Sequence, residues 1–241
     1  MPVATIAGDV YTVAMTRGIL IAGNESALSR SIESETAKRV EHFAIALIPN
    51  RLSEPLRAAV PAGGAPANKA RLPLDWNPGS PISARTLVLA AENRLEHIDE
   101  AILICSPPSI RHAAAELPLA DIEILINDHI KGWFFLIKEL AAAFRVRRAG
   151  TLALVYSDIG SGGAKDDAAD MLGPSSLASF RAFTRSLLAS AFNEPYLTMG
   201  FAGSDVADET GFASFVLKNI DEGNKRNNGK LHKYGKLNFF K

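Results

Sequence analysis

Residues 18–40, GILIAGNESALSRSIESETAKRV, decide the fold of this chain. The stretch opens with the apolar run 19–22, which is too short for a helix, and a tight turn at Gly23-Asn24 follows. Four residues then recur at every fourth position: Leu28, Ile32, Thr36 and Val40. This spacing places them on one face of a helix. The stretch therefore predicts a strand, a glycine turn and a helix, which together form the first half of a βαβ unit.

Apolar runs and helical patterns alternate along the rest of the chain. Strands are predicted at 42–48, 71–75, 101–105, 151–156, 197–201 and 231–234. Helices are predicted at 53–59, 83–95, 121–146, 175–192 and 208–220, and residues 1–17 carry a hairpin pattern around Gly8-Asp9. Apolar strands joined by long crossovers imply a parallel sheet covered on both faces. No linker or repeat interrupts the pattern, so we predict one domain over residues 1–241.

Composition narrows the classes of function. The chain has 241 residues, of which 47% are hydrophobic, and its 26 Lys and Arg balance its 26 Asp and Glu. A general nucleic-acid binder would show a basic excess. The single cysteine, Cys105, allows neither an intrachain disulfide nor a cysteine metal cluster, and it fits a reducing compartment. No signal-peptide pattern or membrane-spanning apolar run is present, so we predict a cytoplasmic protein.

Several landmarks occur in an order that resembles the short-chain dehydrogenase/reductase family over residues 18–236. The matching segments, with the corresponding motif of the family in parentheses, are Ile21-Ala22-Gly23 (TGxxxGxG turn), Leu74-Asp75-Trp76 (D-V-T), Asp99 with AILICS (iDxLVNNAG), residues 130–134 (NlkGvF), residues 150–157 (GxIVNISS) and residues 183–187 (FTRSLA). Asn228-Gly229-Lys230 and Tyr234-Gly235 also match. The resemblance implies an α/β fold with a doubly wound, Rossmann-like parallel sheet of about seven strands in the order 3-2-1-4-5-6-7. It also implies helices on both faces.

The chain departs from that family in its chemistry. Family members move a hydride between a nicotinamide cofactor and a carbonyl or alcohol, and a tyrosine gives the proton while a lysine four residues later makes it acidic. Alignment on Phe183-Thr184-Arg185 puts Gly173 at the tyrosine position and Leu177 at the lysine position. Residues 166–195 contain neither tyrosine nor lysine, so shifting the alignment does not restore the pair.

The resemblance nevertheless implies candidate catalytic residues. Ser157 falls at the family's catalytic serine and His129 falls at its asparagine. The alternative to catalysis is a structural role for each: Ser157 would be a turn hydroxyl, and His129 would be a packed histidine. Cys105 is expected to be buried and unreactive.

The resemblance also implies a set of residues that would bind NAD or NADP. Its members are Gly23, Asn24 and Leu28 in the first turn, Arg51 after the second strand, and Asp75 after the third. Arg51 would meet the 2′-phosphate of NADP, or it is a solvated loop arginine.

The cofactor turn itself is altered. The family's three glycines become Gly23, Ala27 and Ser29, and Ala27 adds a Cβ where a pyrophosphate approaches. Glu25 adds a carboxylate that repels the anion. The NNAG segment becomes Leu103-Ile104-Cys105-Ser106, which has lost both amide side chains. These changes predict weakened or lost dinucleotide binding.

Three hypotheses follow. The first is a catalytically degenerate relative with a structural, regulatory or ligand-binding role. The second is an active NAD(P)-dependent carbonyl reductase or alcohol dehydrogenase in which His129 or water gives the proton. The third is a protein that binds another nucleotide or small molecule in the same crevice.

The apolar helices predict a homodimer or homotetramer. In the family, the helices equivalent to 121–146 and 175–192 pair across a two-fold axis, and Trp133, Phe134, Phe180 and Phe183 are bulky enough to anchor such a contact. The residues after Gly223 are rich in lysine and arginine and contain no acid. They are better explained as a solvated or subunit-facing tail than as a site for an anionic partner.

Overall fold

The computed structural model describes residues 17–48, 70–107, 114–157, 171–204 and 208–235. The strands are β1 (Ile19–Asn24), β2 (Phe43–Ile48), β3 (Arg71–Pro73), β4 (Glu100–Cys105), β5 (Thr151–Ser157), β6 (Leu197–Gly203) and β7 (Lys230–Tyr234). The α-helices are α1 (Ala27–Thr36), α2 (Pro81–Leu95), α3 (Leu119–Ile126), α4 (Gly132–Arg147), α5 (Leu172–Ser190) and α6 (Glu209–Asp221). The hairpin predicted at 1–17 and the helix predicted at 53–59 fall outside the described residues, except for Arg17.

The seven strands form one parallel sheet in the order β3-β2-β1-β4-β5-β6-β7, which confirms the predicted topology. Successive strands run outward from β1 to β3, and the chain then returns to place β4 on the other side of β1. The strand order therefore reverses between β1 and β4. In open parallel sheets, ligands bind at the carboxyl ends of the strands at such a reversal.

Each face of the sheet supports its own apolar core. Side chains alternate along the strands, so Leu20 packs on one face and Ile21 on the other. Helices α2, α4 and α5 cover the first face, while α1 and α6 cover the second. Burial on both faces explains why the strands read as continuous apolar runs. Among the helices of the described ranges, none is long and apolar enough to cross a bilayer.

The helix predicted as continuous over 121–146 is interrupted. It begins at Leu119, ends at Arg147, and contains a π turn at Asn127–Lys131, in which the N–H of Gly132 donates to the carbonyl of Asn127. The loop after β3 packs against this point, because a Cβ added to Gly132 would lie 2.5 Å from the Cβ of Pro78. The helix is therefore widened by one residue where the loop approaches it.

Several other predicted boundaries differ by one to three residues, among them the ends of β3 and β5. Strand β3 ends at Pro73 instead of residue 75, although the N–H of Leu74 still donates to Ile45. Strand β5 continues through Ser157, which pairs with β6.

Gly23 is required by the close approach of β4 to β1. Its φ is +152°, and a Cβ at this position would lie 2.1 Å from the carbonyl oxygen of Ile104. A side chain therefore meets both backbone strain and a steric clash. The glycine that the sequence assigned to cofactor binding also has this structural role.

An ionic network ties the start of β4 to the end of α6. The carboxyl of Glu100 is buried and accepts from Nε of Arg17 at 2.5 Å. Arg17 also contacts Asp221, which in turn accepts from Arg39 at 2.5 Å. Burial raises the pKa of Glu100 to about 7, although the neighbouring Arg17 lowers it. The fold therefore favours the neutral form of this carboxyl more than the unfolded chain does.

We predict that Glu100→Gln changes the pH dependence of stability. Because folding raises the pKa of Glu100, its protonated carboxyl contributes fully to the stability of the fold below pH 4.5, the pKa in the unfolded chain. This contribution is lost as the pH rises through about 7. Gln cannot ionise, so the variant does not lose stability in this way. As the pH rises from 4.5 to 8, the free energy of unfolding of the variant should therefore increase relative to that of the parent protein, by up to ~3 kcal/mol. Denaturant unfolding at several pH values measures this difference.

The control is Glu123→Gln on α3, which removes a carboxylate that is exposed instead of buried. A difference for Glu100→Gln that stays constant with pH would contradict the raised pKa.

We also predict that Gly23→Ala destabilises the fold by about 2–4 kcal/mol, because the added Cβ meets the Ile104 carbonyl. Gly223→Ala is the matched control. Its φ is +52°, but the nearest heavy atom to an added Cβ is 3.9 Å away, so it should lose about 1 kcal/mol. Denaturant unfolding of both variants measures the two losses, and equal losses would rule out the clash as the main cause.

Candidate functional site

The candidate site lies at the carboxyl ends of β1 and β4, where Asn24 holds three elements together. Asn24 is the last residue of β1 and is buried. Its side-chain oxygen accepts from the N–H of Ser106, just after β4, at 3.1 Å. Its amide nitrogen lies 3.2 Å from Nδ1 of His129, in the π turn. Two of the predicted site residues, Asn24 and His129, are thus in direct contact. The side chain of Asn24 is used within the protein.

His129 is buried, with 3% of its surface exposed, and burial lowers its pKa to about 4. The imidazole is therefore neutral at pH 7. Because the Asn24 oxygen is committed to Ser106, its NH₂ group faces His129 and donates to Nδ1, which leaves the imidazole proton on Nε2. His129 offers a neutral N–H donor here instead of the charged imidazolium that a proton donor needs.

The turn between β1 and α1 is closed by its own side chains. Ser26 caps the helix: its hydroxyl accepts from the N–H of Ser29 at 3.1 Å, and the hydroxyl of Ser29 accepts from the N–H of Ser26 at 2.8 Å. This is a reciprocal capping box. The half-exposed carboxylate of Glu25 lies beside this turn, 3.8 Å from Arg30. Two backbone donors at the helix N-terminus are thus already occupied.

The other predicted cofactor residues are dispersed. The side chain of Leu28 is in the core under α1, so only its backbone could meet a ligand. Asp75 is exposed just after β3. Arg51 lies outside the described residues.

The contacts of Ser157 are explained by a structural role of its hydroxyl. Its hydroxyl lies 3.4 Å from the carbonyl of Gly203 on β6, and no hydrogen bond joins it to His129 among the described contacts. On α5, Gly173 and Leu177, which the resemblance aligns with the family's tyrosine and lysine, are both buried. Leu177 belongs to the apolar core on this face of the sheet.

A cation that was not predicted from the sequence lies near these positions. Arg181 lies one helical turn after Leu177, and its guanidinium carbon is 5.7 Å from the ring centroid of Tyr156, the residue before Ser157. Burial raises the pKa of the Tyr156 hydroxyl, although Arg181 acts to lower it. This Tyr–Arg contact therefore does not supply an acidic phenol. Its signal was present in the sequence, because Arg181 and Leu177 are four residues apart on one helical face.

Cys105 is fully buried on β4, and burial raises the pKa of its thiol, as expected for an unreactive cysteine. Within the described ranges, no three His, Cys, Asp or Glu side chains are grouped so as to hold a metal ion.

A cavity of about 830 Å³ opens at the opposite, amino-terminal edge of the sheet. Four carboxylates line it, and each of them contacts an arginine: Asp99, Glu100, Glu194 and Asp221. The charges that line this cavity are largely neutralised within the protein. The strand reversal, the buried histidine and the altered turn are all at the other edge, which is where we place the candidate site.

Solved structures that include two reductases and a dehydrogenase are similar to this structure over 83–91% of the chain. A structure described as ElxO with NADP bound matches with a TM-score of 0.64 and 13% identity, covering 91% of this chain and 97% of that chain. NADH-dependent reductase A1-R′ complexed with NAD matches with a TM-score of 0.66 and 12% identity, covering 91% and 95%. Levodione reductase matches with a TM-score of 0.66 and 11% identity, covering 90% and 95%. Serine dehydrogenase from Escherichia coli matches with a TM-score of 0.60 and 11% identity, covering 83% and 89%.

No protein-family model and no curated protein sequence matches the chain. At 11–13% identity the structural matches establish the fold and not the activity. The chain has the Rossmann-like fold of these oxidoreductases, including those solved with NADP or NAD bound.

Proposed function

We propose that this protein is a catalytically degenerate relative of the short-chain dehydrogenases, in which the dinucleotide-binding fold serves a structural, regulatory or ligand-binding role. The observation that carries the proposal is the closed turn between β1 and α1. A single domain and a cytoplasmic location stay predictions from the sequence.

The closed turn opposes dinucleotide binding in two ways. In dinucleotide-binding folds, a pyrophosphate accepts from the N–H groups of the first helical turn. Here the N–H groups of Ser26 and Ser29 donate to serine hydroxyls, so a pyrophosphate would have to displace those bonds. The carboxylate of Glu25 beside the turn adds repulsion between like charges. Weak or absent binding of NAD and NADP follows.

The catalytic positions support the same proposal. Leu177 is buried where the resemblance puts the lysine, and His129 is neutral where it puts the asparagine. A hydride transfer to a carbonyl needs a proton for the developing alkoxide. Neither residue offers an acid of suitable pKa at pH 7.

An active NAD(P)-dependent carbonyl reductase or alcohol dehydrogenase is the second candidate function, and the fixed imidazole of His129 favours it. With Nδ1 bonded to Asn24, Nε2–H is the group that would donate to a carbonyl oxygen. NAD or NADP would then meet Gly23, Asn24, Leu28 and Asp75, with Arg51 at the adenosine end.

We predict that NADH and NADPH bind more weakly than about 1 mM, measured by nucleotide fluorescence with a thermal-shift check. The triple variant Glu25→Ser, Ala27→Gly, Ser29→Gly should bind at least about tenfold more tightly, because it removes the carboxylate and frees the Ser26 amide. The exposed Ser34→Gly on the same helix is the control and should leave binding unchanged.

Micromolar binding by the parent protein would overturn the degenerate assignment. Carbonyl reduction would then be assayed, and loss of turnover in His129→Ala with unchanged nucleotide affinity would establish the second candidate. Retained turnover in His129→Ala would assign the proton to water.

We further propose that the protein forms a homodimer or homotetramer through helices 121–146 and 175–192. Two of the four predicted anchor residues, Trp133 and Phe180, are buried within the subunit and cannot contribute. Phe134 is 52% exposed and contacts Phe183, with ring centroids 4.6 Å apart. This aromatic pair joins α4 to α5 and is exposed at Phe134 and partly buried at Phe183, and it supports the proposal.

We predict that Phe134→Glu converts the assembly to monomers, because it places a charge in the apolar contact. Val146→Glu is the matched control on the same helix: this residue is 88% exposed and lies three turns away, so the variant should keep the parent mass. Light scattering coupled to size-exclusion chromatography measures both. A monomeric parent protein would contradict the proposal.

A further inference from the structure

The cavity at the amino-terminal edge of the sheet has a surplus of positive charge. It opens beside the first residues of β4, β5 and β6, and its volume is about 830 Å³. The four carboxylates that line it pair with as many arginines, which are Arg17, Arg39, Arg145 and Arg147. Two further cations, Arg148 and Lys225, line the same cavity and have no acidic partner within the described ranges. The lining therefore favours a ligand that carries negative charge.

Arg148 has a side chain that the local backbone does not require. The residue ends α4 in the left-handed conformation, with φ 57° and ψ 26°. Glycine is the usual residue at such a helix end, because a Cβ opposes this conformation. The backbone N–H of Arg148 donates to Arg145, but the guanidinium has no hydrogen bond or ion pair with the described residues. A long cation thus lies at the cavity where the turn itself favours glycine.

An exposed aromatic side chain borders the same cavity. Phe192 follows α5 and is 77% exposed. One edge of its ring packs on the turn before β7, because a Cβ added to Gly229 would lie 3.1 Å from Cε2 of Phe192. Pro195 and Tyr196 add apolar surface to the lining. The ring is therefore supported by the protein and still open to a second ring.

We propose that this cavity binds a small aromatic compound that carries a phosphate or carboxylate group. In the proposed complex, Arg148 and Lys225 bind the anionic group and Phe192 packs on the ring. Arginine suits an anion with two free oxygens, because its N–H groups can donate two parallel hydrogen bonds. A volume of about 830 Å³ is within the range of small-molecule sites. The cavity and the β1–α1 turn are at opposite edges of the sheet, so the proposal does not depend on nucleotide binding at that turn.

Isothermal titration of the full chain with 2-naphthyl phosphate and with 2-naphthoate tests the proposal. At least one of the two should bind with a Kd below about 1 mM. Neutral 2-naphthol and inorganic phosphate should each bind at least about tenfold more weakly, because each lacks one of the two recognised groups. The tighter of the two naphthyl anions identifies the preferred acidic group.

Arg148→Gly separates binding from stability. Glycine adopts the left-handed conformation without strain, so the free energy of unfolding should not fall. The affinity for the naphthyl anion should still fall about tenfold, because a charge-assisted hydrogen bond is lost. Lys225→Gln and Phe192→Ala should each weaken binding roughly threefold to tenfold. The matched control is Arg226→Gln, which should leave the affinity unchanged, because Arg226 is exposed beside Lys225 but does not line the cavity.

Several results would overturn the proposal. Failure of both naphthyl anions to bind would do so, as would unchanged affinity in both Arg148→Gly and Lys225→Gln. Equally tight binding of 2-naphthol would remove the role of the cations, and equally tight binding of phosphate would remove the role of Phe192. A changed affinity in the triple variant Glu25→Ser, Ala27→Gly, Ser29→Gly would place the anion at the β1–α1 turn instead. Micromolar binding of NADH that the triple variant strengthens and Arg148→Gly leaves unchanged would overturn the degenerate assignment alone.

Discussion

The junction of β1 and β4 is the constraint on which the rest of the structure depends. At Gly23 the two strands approach so closely that a side chain would meet the carbonyl of Ile104. One residue later, Asn24 accepts from the backbone of Ser106 and donates to His129. Because strand order reverses here, these contacts fix both the centre of the sheet and the place where a site can open. The buried amide also positions the π turn, since His129 is part of it.

The fold and the expected chemistry place different demands on the sequence of this chain. The fold rests on two apolar cores, and burial of apolar surface is not directional, so many sequences satisfy it. This explains a TM-score of 0.66 at 12% identity. Hydride transfer rests on a few atoms in fixed places. Leu177, which the resemblance aligns with the family's lysine, is part of the apolar core on one face of the sheet.

Burial also sets the charge states at the two ends of the central strands. At the carboxyl end, His129 has a lowered pKa, so its contribution to stability is present above pH 6.5 and is lost as the pH falls through about 4. At the amino end, Glu100 has a raised pKa, and its contribution is lost as the pH rises from 4.5 through about 7. The two contributions oppose each other between pH 4.5 and 6.5. Desolvation is the main cause of both shifts.

The sequence by itself determined the elements, the burial of their apolar faces and, through the family resemblance, the strand order. Local spacing encodes these features, because a helical face repeats within four residues and a buried strand is a continuous apolar run. The altered turn at Glu25 and Ala27 and the missing tyrosine and lysine were also legible, since they are departures from a pattern with known positions. The sequence therefore predicted a Rossmann-like fold, which the structure confirms, and a chemistry that departs from the resembled family, which stays a prediction.

Only the tertiary structure decided what the polar side chains do. It paired Asn24 with His129 across 105 residues, widened the long helix where Gly132 meets Pro78, and brought Trp76 against Trp133. It also placed Trp133 and Phe180, two residues expected at a subunit interface, in the core. Contacts of this kind join residues that are distant along the chain and depend on the angle at which elements pack. No local period carries that information, so the partners of these side chains emerge only when the sheet and helices are assembled.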